Sequence, residues 1–251
     1  MTRLDQLLVQ RNLANSRTHA KKLVDAGRVL ISEGGSLTPA RKAGQSVSAL
    51  CTLEVSPLPE DRFVSRAGLK LAAILDHTGL NPKGWEALDV GCSTGGFSDC
   101  LLQRGAASVV GVDVGQGQLA QKLLDDPRMH LFEGVNARQL AASQITPYAD
   151  NGFDAIVVDV SFISQLLILP QLPPLLKPSG QLISLVKPQF EVGPAGIGKR
   201  GLVRDAKLYR PVRERITRLI LSLGLEIREY IESPIQGGDG NREFLLWAVP
   251  A

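Results

Sequence analysis

The 251-residue sequence predicts an α/β protein: a mostly parallel, seven-stranded sheet with helices on both faces, preceded by a small α+β module. Three observations carry the prediction. From Trp85 onward, short apolar runs alternate with helix-patterned segments, and repeated βα units build parallel sheets. The run Asp89-Val-Gly-Cys-Ser-Thr-Gly-Gly-Phe97 sets a glycine-rich turn between a strand and a helix, where backbone N–H groups can approach a ligand that a Cβ would exclude. Residues 1–60 carry eight Lys/Arg against five Asp/Glu while the remainder is balanced, so the net charge of +3 belongs to one end of the chain.

The elements follow in order. Leu4, Leu7 and Leu8 recur at helical spacing in a short first helix. Asn15-Ser16 is a capping signal for a second helix beginning at Arg17 and stopped by Gly27; Arg28-Val-Leu-Ile reads as a strand and Gly34-Gly35 as a turn. Ser56-Pro-Leu-Pro-Glu-Asp61 has linker composition, which divides the chain into a module at 1–56, a linker at 57–63 and a large domain at 64–251. In the large domain strands are expected near 85–90, 107–113, 128–132, 153–159, 180–186, 225–232 and 243–249. Helices are expected near 65–78, 97–104, 116–124, 164–170 and 206–223. The last two strands leave no room for a helix between them, so the final strand enters antiparallel.

Composition excludes several classes. No run approaches the roughly 20 apolar residues of a membrane span, and the first residues lack the apolar core of a signal peptide, so a cytoplasmic location is expected. Cys51, Cys92 and Cys100 form no CxxC pair and point to reduced thiols. His19, His77 and His130 lack metal-ligand spacing, and no metal is expected.

Asp113 closes the second apolar run, 24 residues after Asp89, where an acid can accept hydrogen bonds from ribose hydroxyls. With the glycine turn this resembles the S-adenosylmethionine loop of class I (Rossmann-like) methyltransferases. The resemblance implies S-adenosylmethionine as cofactor, held by Asp89, Gly91, Ser93, Thr94, Gly95, Gly96, Phe97, Asp113 and Val114. Arg3-Leu-Asp, Ser16-Arg-x-x-Ala20 and Ala26-Gly-Arg-Val29, in that order, resemble the S4 RNA-binding domain. Arg17 and Lys21 lie one turn apart and can both reach phosphate. Arg3, Arg28 and Arg66 complete the expected RNA contacts.

Lys70 on the entry helix, Asp159 and Lys187 past two strand ends, and Glu243 at the opening of the last strand stand where a parallel sheet places its chemistry. Methylating a ribose hydroxyl suits such a set. The alcohol must be positioned and its proton taken; a lysine can take it only when neutral, a form a second nearby lysine would favour, while the carboxylates orient both. Phe63-Val-Ser-Arg-Ala-Gly-Leu-Lys-Leu, Val158-Asp-Val-Ser-Phe-Ile-Ser, Leu185-Val-Lys-Pro-Gln-Phe-Glu and Gly240-Asn-Arg-Glu-Phe, added to the earlier motifs, resemble the hemolysin-A (TlyA-type) ribosomal RNA methyltransferases along almost the whole chain. The resemblance implies methylation of a cytidine 2′-oxygen in ribosomal RNA. By analogy with the FtsJ-type fold, it implies a tetrad of Lys70, Asp159, Lys187 and Glu243, with Asn136 near the adenine. Glu133-Gly-Val-Asn-Ala-Arg138 departs from the family's Glu-Arg-Thr-Asn-x-Arg.

Three rival readings are weaker. An S4 protein with a non-catalytic cofactor domain is disfavoured by the complete tetrad. A pore-forming toxin is disfavoured by the lack of any long apolar helix. Base methylation is disfavoured because Asp-Val-Ser-Phe replaces the Asn/Asp-Pro-Pro-aromatic run of amino-group methyltransferases. A monomer is favoured as the oligomeric state. The resembled family looks divided into longer members, with basic residues before the S4 start, that act on both subunits and shorter ones that act on the large subunit. With only Met1 and Thr2 before Arg3, the resemblance implies large-subunit and not small-subunit RNA as the expected substrate.

Overall fold

The computed structural model describes every residue except 15, 58, 141–144, 149 and 150. It divides into two compact units, Met1–Asp61 and Arg62–Ala251. Phe63, assigned to the linker from composition, packs into the core of the second unit, and Asp61 is held in the first by the guanidinium of Arg28. The boundary therefore narrows to the 61/62 junction.

In the first unit, strand β1 (Thr2–Arg3) leads into α1 (Leu4–Gln10) and α2 (Arg17–Asp25). The Ser16 hydroxyl accepts from the His19 N–H at 3.1 Å, the cap expected of that position; Asn15 lies outside the described residues. Strands β2 (Val29–Ser32), β3 (Thr38–Pro39), β4 (Ser46–Val47) and β5 (Thr52–Val55) follow, with β2 between β3 and β5 and β1 paired to β4. Leu4, Leu7, Leu8, Ala20, Leu23, Val24, Val29 and Ile31 close one apolar core.

The second unit opens with α3 (Ala67–Thr78) and continues through β6 (Glu86–Val90), α4 (Gly96–Gln103), β7 (Ser108–Asp113), α5 (Gln121–Leu124), β8 (Met129–Glu133), β9 (Phe153–Val158), β10 (Leu176–Val186), α6 (Tyr209–Ser222), β11 (Leu225–Glu232) and β12 (Phe244–Pro250). The seven strands lie in the order β11-β12-β10-β9-β6-β7-β8, parallel except for β12, which pairs antiparallel with both β10 and β11. The antiparallel final strand is as expected. Successive residues of β9 serve opposite faces: Ile156 and Val158 join the core under α6, whereas Ala155 and Val157 join the core under α3 and α4. That two-sided burial is why the parallel strands read as continuous apolar runs.

Two helices differ from expectation. Residues 164–170 form no α-helix; short 3-10 turns at Gln165–Leu167, Leu169–Gln171 and Pro173–Leu175 replace it. Pro170, Pro173 and Pro174 remove three N–H donors and clash with preceding carbonyls, so no i→i−4 ladder can run. The helix expected at 116–124 contracts to α5, one turn long, after a segment containing Gly115 and Gly117.

Chain order reverses between β6 and β9, and that switch point opens a crevice at the carboxyl ends of the strands. Gly68, on the first turn of α3, lies against the Phe63 ring so closely that a Cβ there would stand 2.4 Å from the ring. Gly68→Ala should lower stability by about 1–3 kcal/mol through overpacking, read as a lower denaturation midpoint at unchanged slope.

Candidate active site

At the switch point a cavity of about 150 Å³ is lined by Ser65, Ala67, Asp89, Gly91, Cys92, Ser93, Thr94, Gly96, Phe97, Asp159, Ser161 and Lys187. Gly91 has φ +84°, and a Cβ on it would sit 2.9 Å from the Asp159 carbonyl. Only glycine lets the turn after β6 approach the turn after β9 this closely. Phe97 contributes the wall from the start of α4, while its ring is buried in the core beneath.

Asp89 is completely buried. Its Oδ2 accepts from the Ser98 N–H at 3.0 Å and from the Ser98 hydroxyl at 2.6 Å, but Oδ1 has no hydrogen-bond partner. Burial pushes this carboxyl up to about 7, with Asp159 and Asp113 adding repulsion that the Ser98 donors oppose. A ligand that brings a cationic donor would satisfy the open oxygen. Burial also raises the Cys92 thiol, with Asp89 and Asp113 reinforcing it, so Cys92 serves as a small wall residue.

The expected ribose acid is placed at the end of β7. Asp113 accepts from the Ser93 N–H at 2.8 Å and the Gly115 N–H at 2.7 Å, which draws the glycine turn onto the next strand. A carboxylate has about four acceptor sites, so these two bonds leave capacity for hydroxyls. Val114 beside it is 73% exposed, and Asn136 uses its side-chain oxygen to cap the turn at Arg138. Gly95, Asp113, Val114 and Asn136 stand outside the cavity lining.

The four charged residues form two ion pairs. Lys187 Nζ lies 2.6 Å from Asp159 Oδ1 and donates to the Ser161 hydroxyl at 2.8 Å. Lys70 Nζ lies 2.5 Å from Glu243 Oε2, with both side chains buried, and Gln189 donates to the other Glu243 oxygen at 3.4 Å. Each lysine has a carboxylate as its partner, in keeping with the expectation that the carboxylates orient both.

Sequence reasoning passed over Ser65, Ser161 and Glu191. Glu191 is buried and accepts from the Ser164 hydroxyl at 2.6 Å and the Gln165 N–H at 2.8 Å, tying the loop after β9 to the loop after β10. Phe162 lies between Asp159 and Ser164, is 91% exposed, has φ +62°, and leans on Phe190 at 5.2 Å. A bulky residue with positive φ is a strained conformation, and here it presents an aromatic ring beside the cleft.

In the first unit the expected RNA contacts prove to be partly committed. Arg3 and Arg17 both bind Asp5, whose carboxyl is held at about 2 chiefly by the Arg3 hydrogen bond, with Arg17 adding to it against burial. Both arginines remain about half exposed. Lys21 pairs with Asp25 at 2.5 Å on the surface. Arg28 is mostly buried and donates to the Ser56 carbonyl and to Asp61, so the guanidinium expected at RNA is engaged as a structural tie here. Arg66, in the second unit, is exposed and donates to the Gln236 carbonyl at 3.0 Å.

The strand order, the glycine turn and the paired charges at the switch point define a site of methyltransferase type. The FtsJ-like methyltransferase family matches residues 63–249 and the S4 domain matches residues 2–32. The chain is 42% identical over 246 residues to the 16S/23S rRNA (cytidine-2'-O)-methyltransferase TlyA of Mycobacterium tuberculosis, covering 98% of this chain and 88% of that one. It is 34% identical to the 23S rRNA (cytidine-2'-O)-methyltransferase TlyA of Campylobacter jejuni, covering 74% and 71%. A solved Streptococcus thermophilus protein that bears the name hemolysin superposes with a TM-score of 0.74 at 37% identity, covering 99% and 90%. The chain belongs to the FtsJ-like methyltransferase family, in its S4-containing TlyA branch. No described helix is long and apolar enough to cross a membrane.

Asp89 yields a prediction about pH. Between about pH 4 and pH 7 the folded protein keeps a proton on Asp89 that the unfolded chain has released. Stability should therefore fall as pH rises across that window, by up to about 1.4 kcal/mol per pH unit, and level off above it. Asp89→Asn should lose this component of the fall, measured as denaturation midpoint against pH for both proteins.

Proposed function

We propose that the protein transfers a methyl group from S-adenosylmethionine to the 2′-hydroxyl of a cytidine in ribosomal RNA, with large-subunit RNA as the substrate. The observation that carries the reading is the Lys187–Asp159 pair in the wall of the same cavity as the glycine turn. Both named TlyA relatives act on 23S RNA, which supports the large subunit as the shared target.

The cofactor fits the residues present. Its amino group would meet the open Asp89 oxygen, its ribose hydroxyls would donate to Asp113, and exposed Val114 and Asn136 would flank the adenine. When bound, it supplies an electrophilic methyl group on a sulfonium, which needs no acid to leave. The chain's own residues then have to hold the acceptor oxygen in line. Lys187, 11% exposed at the cavity wall, is placed to donate a hydrogen bond to that oxygen and to stabilise the negative charge it develops. Asp159 fixes the lysine and is the nearest carboxylate to receive the departing proton. Lys70 and Glu243 are buried behind, where their pairing fixes the entry helix to the start of β12. Phe162 offers its exposed face to a base beside the target ribose.

Three outcomes test the reading. With labelled cofactor and separated ribosomal subunits, the wild-type protein should label the large subunit. Incorporation confined to the small subunit would contradict the substrate assigned. Lys187→Ala should reduce transfer by at least a hundredfold while cofactor affinity by calorimetry stays within twofold; near-normal turnover would remove Lys187 from the chemistry. Asp113→Ala should weaken cofactor binding by about 1–3 kcal/mol, since it removes a charge-assisted acceptor and releases Ser93 and Gly115.

A further inference from the structure

The second unit carries 20 Lys/Arg against 19 Asp/Glu, yet its charge is not evenly spread. Between residues 199 and 210 stand Lys199, Arg200, Arg204, Lys207 and Arg210, with Asp205 the one acid in that stretch. All five cations are exposed. Arg210 pairs with Glu214, and Arg204 donates to the Ile197 carbonyl at 3.2 Å. Lys199, Arg200 and Lys207 have no carboxylate within ion-pair distance among the described residues. In the S4 unit Arg3, Arg17, Lys21 and Arg28 are engaged by its own acids, while exposed Lys22, Arg41 and Lys42, like the three cations here, have no carboxylate within ion-pair distance among the described residues.

The segment is also built to stay in place. Ile197 bridges Val203, the Gly198 N–H donates to the Leu202 carbonyl at 2.7 Å, and the Arg204 N–H donates to the Gly196 carbonyl at 2.8 Å. Lys199 and Arg200 thus lie at the tip of a small hairpin. Asn241 is 3% exposed and spends both ends of its amide on this hairpin: Oδ1 accepts from the Val203 N–H at 3.0 Å, and Nδ2 donates to the Gly201 carbonyl at 2.9 Å. Two residues later comes Glu243, the partner of Lys70. The hairpin is therefore fixed to the same strand entry that carries a member of the tetrad, at the carboxyl end of β10 where Lys187 stands. Arg200 holds φ +61°, a conformation costly for a side-chain-bearing residue and one that glycine adopts freely. Arginine kept there at that cost points to use of its charge.

We propose that the hairpin 197–203, with Lys207 at the foot of α6, is a phosphate-binding surface that docks the RNA backbone flanking the target nucleotide. The proposal rests on the function given above and assigns to the catalytic unit a share of RNA affinity beyond that expected of Arg66. Exposed cations spread along a hairpin, with no enclosing cavity, suit a phosphate backbone, which carries one charge per nucleotide, better than a small anion.

The test compares the full-length protein with a Lys199→Gln/Arg200→Gly/Lys207→Gln variant, using protein-free large-subunit ribosomal RNA as the probe. Arg200→Gly relieves the backbone, so the variant should melt no lower than the wild type. RNA binding should weaken roughly tenfold at 0.1 M salt, and the slope of log affinity against log salt should flatten by about 2 to 3 units, at roughly 0.7–0.9 per phosphate lost. In transfer assays KM for RNA should rise while kcat at saturating RNA and cofactor affinity stay within twofold. Lys83→Gln, before β6 at the other end of the sheet, should leave RNA binding and salt slope unchanged. An unaltered slope in the triple variant, or an equal loss in Lys83→Gln, overturns the assignment. If the wild type shows the predicted slope but transfers no methyl group, the proposed function fails and the docking surface stands.

Discussion

The ion pair between Lys187 and Asp159 joins the ends of two neighbouring parallel strands, and the rest of the site depends on it. Each side chain leaves the sheet at its carboxyl end, where chain order reverses and the backbone opens a crevice. Without the carboxylate, the lysine would be an unpaired cation at the cavity wall; without the lysine, Asp159 would stand unpaired in the cavity that already holds Asp89. Paired, they keep the cleft foldable and still offer an N–H donor and a carboxylate to an incoming hydroxyl.

The surrounding contacts keep that pair in register. Glu191 fastens the loop after β9 to the loop after β10 through Ser164 and Gln165, and Gln165 is anchored in turn by the Leu185 carbonyl and the Ser184 hydroxyl. The second pair, Lys70 with Glu243, ties the entry helix to the last strand from behind. Asp113 draws the glycine turn inward from the other side. Three separate ties therefore converge on one crevice, each joining segments distant in sequence, so the geometry is set by the whole sheet rather than by any one loop.

Much of this was legible beforehand. Strands buried on both faces read as apolar runs with a polar residue at the end, which is how Asp89, Asp113, Asp159 and Lys187 could be placed before any coordinates. Pairing was not legible. Chain order says that Lys70 and Lys187 reach the same end of the sheet, but not that Lys70 takes Glu243 and Lys187 takes Asp159. The helix expected at 164–170 fails because three prolines follow in quick succession, a backbone effect that outweighs its apolar pattern. Arg28 was expected at phosphate from its place in the S4-like run Ala26-Gly-Arg-Val29, yet its partner Asp61 lies 33 residues away. Ser161 gave no signal apart from its place in the Asp-Val-Ser-Phe run. The near-balanced charge of the second unit concealed a segregated one, since a total cannot show which cations have carboxylates beside them.

The account turns on where the methyl group is placed. Large-subunit RNA methylated by this protein with labelled cofactor can be digested to nucleosides and separated by mass. The proposed function predicts the label in 2′-O-methylcytidine. Label on the base of a methylated nucleoside, with the ribose unmodified, would contradict it.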